Sequence, residues 1–337
     1  MYSATYLAFA LLFCFSALIK AESPIPQFVC SSNEFELVLQ SWYENGTSIY
    51  IRKGYEHVIN PTNCYYSTAI HDGTHYFEFT FEKGDGFVGF TTKDHFAHGY
   101  RIRGLFYGGT LSDGSRRLGA FSRRVHEGDT VGLRIDLTSE NVKVFVYLNG
   151  RSLGLAFDVN RGNITDLYPA IHTDEDAVVE IRKSDNYPTV TEYQPQVFSG
   201  IEGDFAFQEA VDDGKTVSTD VWKHFVLSVR KKPKFSNSTV QVYGLHFGVI
   251  NSINGFLIRN EAGHYEVQNV ESTLIGTYGE ASKAEGFVLK LIGGIEDVVV
   301  TGDDLQIKSQ GNTRLNLKRF TKPAPKTVKT NPILGEY

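Results

Sequence analysis

The chain has 337 residues, room for about two domains. It is 41% hydrophobic and 21% charged, which excludes wholesale disorder, and its net charge of −6 argues against nucleic acid or an anionic membrane held by bulk electrostatics. The 24 Phe, 18 Tyr and 32 Gly against a single Met lean towards twisted sheets joined by many turns.

Residues 1–21 read as a signal peptide. The stretch 7–19 is uncharged and mostly apolar, the length of a signal core and short of the ~20 residues of a membrane span. Ala21 supplies a small residue at the cleavage position. No second apolar run reaches membrane length, so the mature chain is expected to be secreted or lumenal, with no membrane span. Cleavage leaves Cys30 and Cys64, and two cysteines in an exported chain read as one disulfide. Three Asn-x-Ser/Thr sequons make Asn45, Asn163 and Asn237 the expected glycosylation sites.

From 35 to 183 the pattern is short strands punctuated by Gly, Asn and Asp. Strands are expected at 75–81, 86–91, 130–137, 142–148 and 153–157, with Asn149-Gly150 as a hairpin turn because both residues accept positive φ. This spacing reads as an antiparallel β-sandwich. Pro188 and Pro195 interrupt the pattern over 184–197, a linker. A second domain is expected over 198–320, with strands at 240–249, 255–258, 305–308 and 315–320. Its one amphipathic helix spans 280–292, where Ala284, Phe287, Val288 and Leu291 share a face. The Lys- and Pro-rich tail 321–337 is expected to be disordered. The fold class is mainly β, a sandwich followed by a smaller α+β domain.

The run Glu127-Gly128-Asp129-Thr130-Val131-Gly132, then Asp136-Leu137, Phe145, Asn149 through Phe157 and Tyr168-Pro169-Ala170 closely resembles the SPRY domain. His75-Tyr76-Phe77-Glu78-Phe79 and Gly86-Phe87-Val88-Gly89-Phe90 resemble earlier strands of that family, and Trp42 with 49–51 its opening strands. The resemblance implies a bent β-sandwich whose end loops bind protein or peptide ligands. The second domain resembles the META domain of HslJ-like proteins through Asn254-Gly255-Phe256, Gly263-His264-Tyr265, Glu271-Ser272-Thr273, residues 280–287 with Leu291, Gly302 to Leu305 and 315–320. Trp222 matches the tryptophan of that family's opening strand, while the cysteines often found near its Asn-Gly turn and after its Ser-Thr are absent here.

No catalytic residues, metal ligands or cofactor emerge from the sequence. His71/His75 and His95/His98 lack a third ligand and a fixed geometry, and the acidic runs 174–176 and 303–304 lack the oxygen pattern of a calcium loop. No nucleophile elbow, Cys-x-x-Cys pair or phosphate-cradling loop is present. The favoured reading is a secreted, non-enzymatic recognition protein for a protein or peptide ligand. The alternatives are a lectin-like glycan-binding adhesin using Trp42 or Tyr43, and a hydrolase assembled from scattered carboxylates. In SPRY domains ligands dock on loops at one end of the sandwich, which here implies Asn60 and Pro61, then Thr92, Lys93, Tyr100 and Arg103, then Asp174 and Glu175. Tyr100 and Arg103 are expected to dominate affinity, Pro61 to form a rigid rim, and the acidic third loop to favour a basic ligand segment.

Overall fold

The computed structural model describes residues 27–31, 36–43, 46–53, 61–173, 176–218, 220–248, 251–273 and 279–335. The expected signal peptide, Asn45, Asn60, Asp174 and Glu175 lie outside them. Backbone contacts divide the chain into two compact units, Met1–Gln194 with Ala324–Tyr337, and Pro195–Pro323.

In the first unit the strands run β1 (Phe28–Ser31), β2 (Glu36–Tyr43), β3 (Gly46–Lys53), β4 (Thr62–Tyr66), β5 (Gly73–Lys83), β6 (Phe87–Thr91) and β7 (Gly104–Tyr107). They continue with β8 (Thr110–Ser112), β9 (Arg117–Ala120), β10 (Thr130–Leu137), β11 (Asn141–Leu148), β12 (Arg151–Asn160), β13 (Tyr168–Thr173) and β14 (Ala177–Ser184). One sheet has the order β1-β4-β13-β6-β7-β8-β9, the other β12-β11-β10-β5-β14-β3-β2. Successive side chains point to opposite faces of a strand, so Phe77, Phe79 and Phe81 of β5 all turn inward. There they share one core with Val88 and Phe90 of β6 and Leu105 of β7 from the other sheet. The result is an antiparallel β-sandwich.

Local chemistry sets the corners. Asn149 and Gly150 take φ of 53° and 78° and join β11 to β12, with Leu148 facing Arg151 across the turn. Cys30 of β1 lies opposite Cys64 of β4, and the two form a disulfide. Closing a loop of sequence separation 34 is worth about 3–4 kcal/mol through the entropy it removes from the unfolded chain. The segment after β14 lies on the outer face of the second sheet. The Tyr147 hydroxyl donates to the Val190 carbonyl (3.0 Å), and the Arg134 guanidinium stands 4.9 Å from the Tyr187 ring centre.

The tail corrects the expectation of disorder. Val328 adds a parallel bridge beside Phe157 of β12, exchanging backbone hydrogen bonds with Ala156 and Asp158. Asn331 is fully buried and donates to the Asn160 carbonyl, and Ile333 enters the sandwich core at 2% exposure. The physical reason is that β12 is an edge strand whose free backbone groups the returning chain satisfies. Composition registered the Lys and Pro of this segment and not the apolar triplet Pro332-Ile333-Leu334 that anchors it.

The second unit holds β15 (Gly203–Asp212), β16 (Lys215–Thr216), β17 (Val226–Lys231), β18 (Gln241–Gly248), β19 (Ser252–Arg259) and β20 (Tyr265–Ser272), then α1 (Glu280–Gly293), β21 (Ile295–Thr301), β22 (Asp304–Ser309) and β23 (Thr313–Arg319). The sheet order is β20-β19-β18-β17-β15-β23-β22-β21, with β16 paired to β15. Helix α1 buries Ala284, Phe287, Val288 and Leu291, the face read from the sequence, together with Ile292. Trp222 lies in a short 3-10 turn, Asp220–His224, rather than in an opening strand. Its ring stacks on Phe207 at 4.7 Å and its indole N–H donates to the Val217 carbonyl.

Candidate functional site

The outer face of the first sheet carries a second, smaller apolar layer. Two rows of side chains cross it. Tyr65, Ala170, Gly89 and Phe106 form one row, and Asn63, His172 and Phe87 the other. Gly89 is required here, because a Cβ at that position would fall 2.0 Å from the Leu105 carbonyl oxygen. Loop 92–103, between β6 and β7, folds over both rows. Ile102 is fully buried against Phe106 and Ala170, and Phe96 sets its ring edge-on to Tyr65 at 4.7 Å.

Polar groups pin this loop in place. Asn63 donates its amide nitrogen to the carbonyls of Ala97 (2.6 Å) and Gly99 (2.8 Å), which fixes which end of the amide is oxygen. That oxygen faces His172 Nδ1 at 2.7 Å, so this imidazole nitrogen carries the proton. Phe87, Tyr100 and Phe106 surround the His172 ring at centroid distances of 5.8 to 6.0 Å. At the loop's far end the Thr91 hydroxyl donates to the Arg103 carbonyl (2.7 Å). Gly99 takes φ of 64° to start the turn that lifts Tyr100 outward.

Tyr100 stays 42% exposed. Beside it, Arg103 donates Nη1 to the carbonyls of Tyr100 (3.0 Å) and Ile102 (2.8 Å), which holds the guanidinium in one orientation. Its Nε and Nη2 have no hydrogen-bond partner among the described residues. Asp113 lies fully buried nearby. Burial alone would raise its carboxyl, but the backbone N–H groups of Arg116 and Ser115, the Ser115 hydroxyl and the Arg103 charge hold it below the usual carboxylate range. With that carboxylate balanced by Arg116 at 3.3 Å, the described part of the exposed rim around Tyr100, where Arg101 also lies, is cationic.

The opposite flank of the loop opens on a polar cleft of about 230 Å³. Thr92, Lys93, Asp94 and His95 form one wall, and Thr165 with Asp166 the other. The Lys93 ammonium sits 5.2 Å above the buried Tyr168 ring, and Asp166 pairs with His71 at 2.6 Å. Asn163 is exposed at the edge of the cleft.

The sequence-based residues thus divide. Thr92 and Lys93 line the cleft, while Tyr100 and Arg103 lie on the loop's other flank. Pro61 is buried rather than exposed at a rim. Asn60, Asp174 and Glu175 lie outside the described residues, and so do the side chains of Trp42 and Tyr43. Sequence reasoning missed Asn63, Phe96 and His172. The available signal was a polar residue, Asn63, beside a cysteine in a strand. The four histidines weighed as ligands each meet a protein group: His71 Asp166, His75 the Asp72 carbonyl, His95 Thr92, and His98 the Ser31 carbonyl. Among the described residues no three His, Cys, Asp or Glu side chains converge to hold a metal ion.

No protein-family model matches this chain, and no curated protein matches it. Among solved structures it is similar to the SPRY domain of human HERC1, at 16% identity and a TM-score of 0.35, over 46% of this chain and 99% of that one. It is also similar to the carbohydrate-binding module CBM66 from Bacillus subtilis, at 12% identity and a TM-score of 0.29, over 44% and 92%.

Proposed function

We propose that this chain is a secreted, non-enzymatic recognition protein whose SPRY-like sandwich binds a protein or peptide ligand on loop 92–103, with a META-like second domain. The observation that carries the reading is Arg103: a guanidinium held in one orientation, with two nitrogens lacking hydrogen-bond partners among the described residues, beside a half-exposed tyrosine. Tyrosine and arginine dominate protein-binding hot spots, and an oriented arginine loses little entropy when it receives a carboxylate. The Arg101 and Arg103 charges favour an acidic ligand segment. Support also comes from the motif resemblance at 127–170 and, for export, from the apolar run 7–19, the sequons and the disulfide.

A pull-down from the surrounding medium with the mature chain identifies the ligand. Tyr100→Ala and Arg103→Ala are each expected to weaken its binding by about 1–3 kcal/mol while leaving the melt in place. Unchanged affinity in the double variant overturns the site. A second reading, glycan binding, is favoured by the polar cleft beside Lys93 and Asp166. It predicts glycan-array signal lost on Asp166→Ala and kept on Tyr100→Ala.

A further inference from the structure

The second unit carries an apolar groove on the face of its sheet turned away from the core. Val242 of β18 pairs with Ile258 of β19, and Gly244 with Phe256, so Val242, Phe256 and Ile258 lie opposite the inward residues Leu245, Phe247 and Leu257. Phe235, at the end of a short 3-10 turn, sets its ring 6.1 Å from Phe256. These four residues, with Gln268 and Asn269, line a groove of about 300 Å³. Phe235 is 65% exposed, the most exposed aromatic ring among the described residues. With Val242, Phe256 and Ile258 it forms a contiguous apolar patch, the kind of exposed surface that marks a binding site.

The candidate cover is two residues away, at Asn237-Ser238-Thr239. The Asn237 Oδ1 accepts hydrogen bonds from the backbone N–H of Thr239 (2.9 Å) and Val240 (2.6 Å) and from the Thr239 hydroxyl (3.1 Å). Three bonds to the oxygen fix the amide, and its Nδ2 has no partner among the described residues. The turn is itself anchored, because the Ser236 hydroxyl donates to the Lys232 carbonyl and accepts from the Val242 N–H. The sequon thus presents an exposed amide nitrogen from a fixed turn beside an exposed phenyl ring.

We propose that Asn237 carries an N-linked glycan whose first N-acetylglucosamine lies over Phe235 and Phe256 and covers this groove. A pyranose has an apolar face of C–H groups, slightly positive, which suits the negative face of an aromatic ring. The amide groups of Gln268 and Asn269 at the groove's edge match the sugar's polar substituents. In the modification step, a lipid-diphosphate-linked oligosaccharide is the donor. Its C1–O bond breaks as C1 bonds Nδ2, the amide releases one proton, the lipid diphosphate leaves, and nothing is oxidised or reduced. Of the sequons in the described residues, the one at Asn163 borders a polar cleft whose tyrosine ring, Tyr168, is buried. The inference depends on export of the chain and not on what the first unit binds.

The test is the full chain made in a eukaryotic secretory host. Glycopeptide mass spectrometry reads occupancy at Asn237. The protein is then trimmed by an endoglycosidase to a single N-acetylglucosamine, or stripped of all sugar by an amidase that turns the linked amide into a carboxylate, and the two forms are compared by hydrogen exchange. Peptides covering 235–242 and 256–258 are expected to exchange about fivefold more slowly in the trimmed form. Phe235→Ser, a change at an exposed position, is expected to keep occupancy and abolish that difference. An unoccupied Asn237, equal exchange in the two forms, or a difference that survives Phe235→Ser overturns the proposal. Ligand affinity of the first unit is a separate readout, so failure there leaves this result intact.

Discussion

Replacing Ile333 by alanine tests the placement of the C-terminal tail. Ile333 retains 2% of its surface and belongs to the same core as Phe77 and Phe90, although it lies close to the end of the chain. Truncating a buried isoleucine removes its transfer free energy and leaves a cavity, together costing about 2–4 kcal/mol. In a folding unit of roughly 200 residues, each kcal/mol moves the melting temperature about 2–4 °C. A loss near 3 kcal/mol therefore lowers the melt of the first unit by about 6–12 °C. Calorimetry on the mature chain reads this shift, with Lys329→Ala as the control. Lys329 is exposed, so its truncation is expected to change stability by less than about 0.5 kcal/mol. If Ile333→Ala melts with the parent, the tail does not pack against β12 and the composition-based expectation of disorder stands.

Asp129, 6% exposed, receives a forked pair of bonds from Arg123 (2.6 and 2.7 Å) and further bonds from Asn149 and the His126 N–H. Burial pushes its carboxyl up, but Arg123, Asn149 and the His126 N–H outweigh that and hold it below the usual 3.8. A depressed carboxyl contributes stability above its unfolded value and loses it as pH falls through the folded one. Asp129→Asn is thus expected to destabilise at pH 7 by a margin that shrinks as pH drops from about 4 towards 3; a margin that stays constant in urea melts refutes the assignment. Asn63→Ala leaves two loop carbonyls and the His172 N–H without their partner, costing about 1–3 kcal/mol. Hydrogen exchange across 97–103 should quicken, and protection equal to the parent's means that Asn63 does not hold the loop.

Sequence patterns with a local physical cause mapped directly onto structure. The turn at Asn149-Gly150, the alternation 77-79-81 in β5, the buried face of α1 and the pairing of Cys30 with Cys64 each follow from backbone preference, side-chain period or redox chemistry acting on a few residues. The strand spacing likewise carried the sandwich, because an alternating apolar strand needs a second sheet to cover it. What the sequence left open is where segments distant along the chain meet. Asn63 touches His172 at a separation of 109 residues, and Asn331 touches Asn160 at 171. No local period encodes such contacts. They arise when the sheet brings β4, β13 and β6 side by side, and when the free edge of β12 offers backbone groups to a returning segment. The same holds for the candidate site. Tyr100 and Arg103 are visible in the sequence as hot-spot types. That Arg103 is held by two loop carbonyls with donors to spare was decided by how loop 92–103 packs on the sheet beneath it, a balance of burial and hydrogen bonding that exists only once the sandwich is assembled.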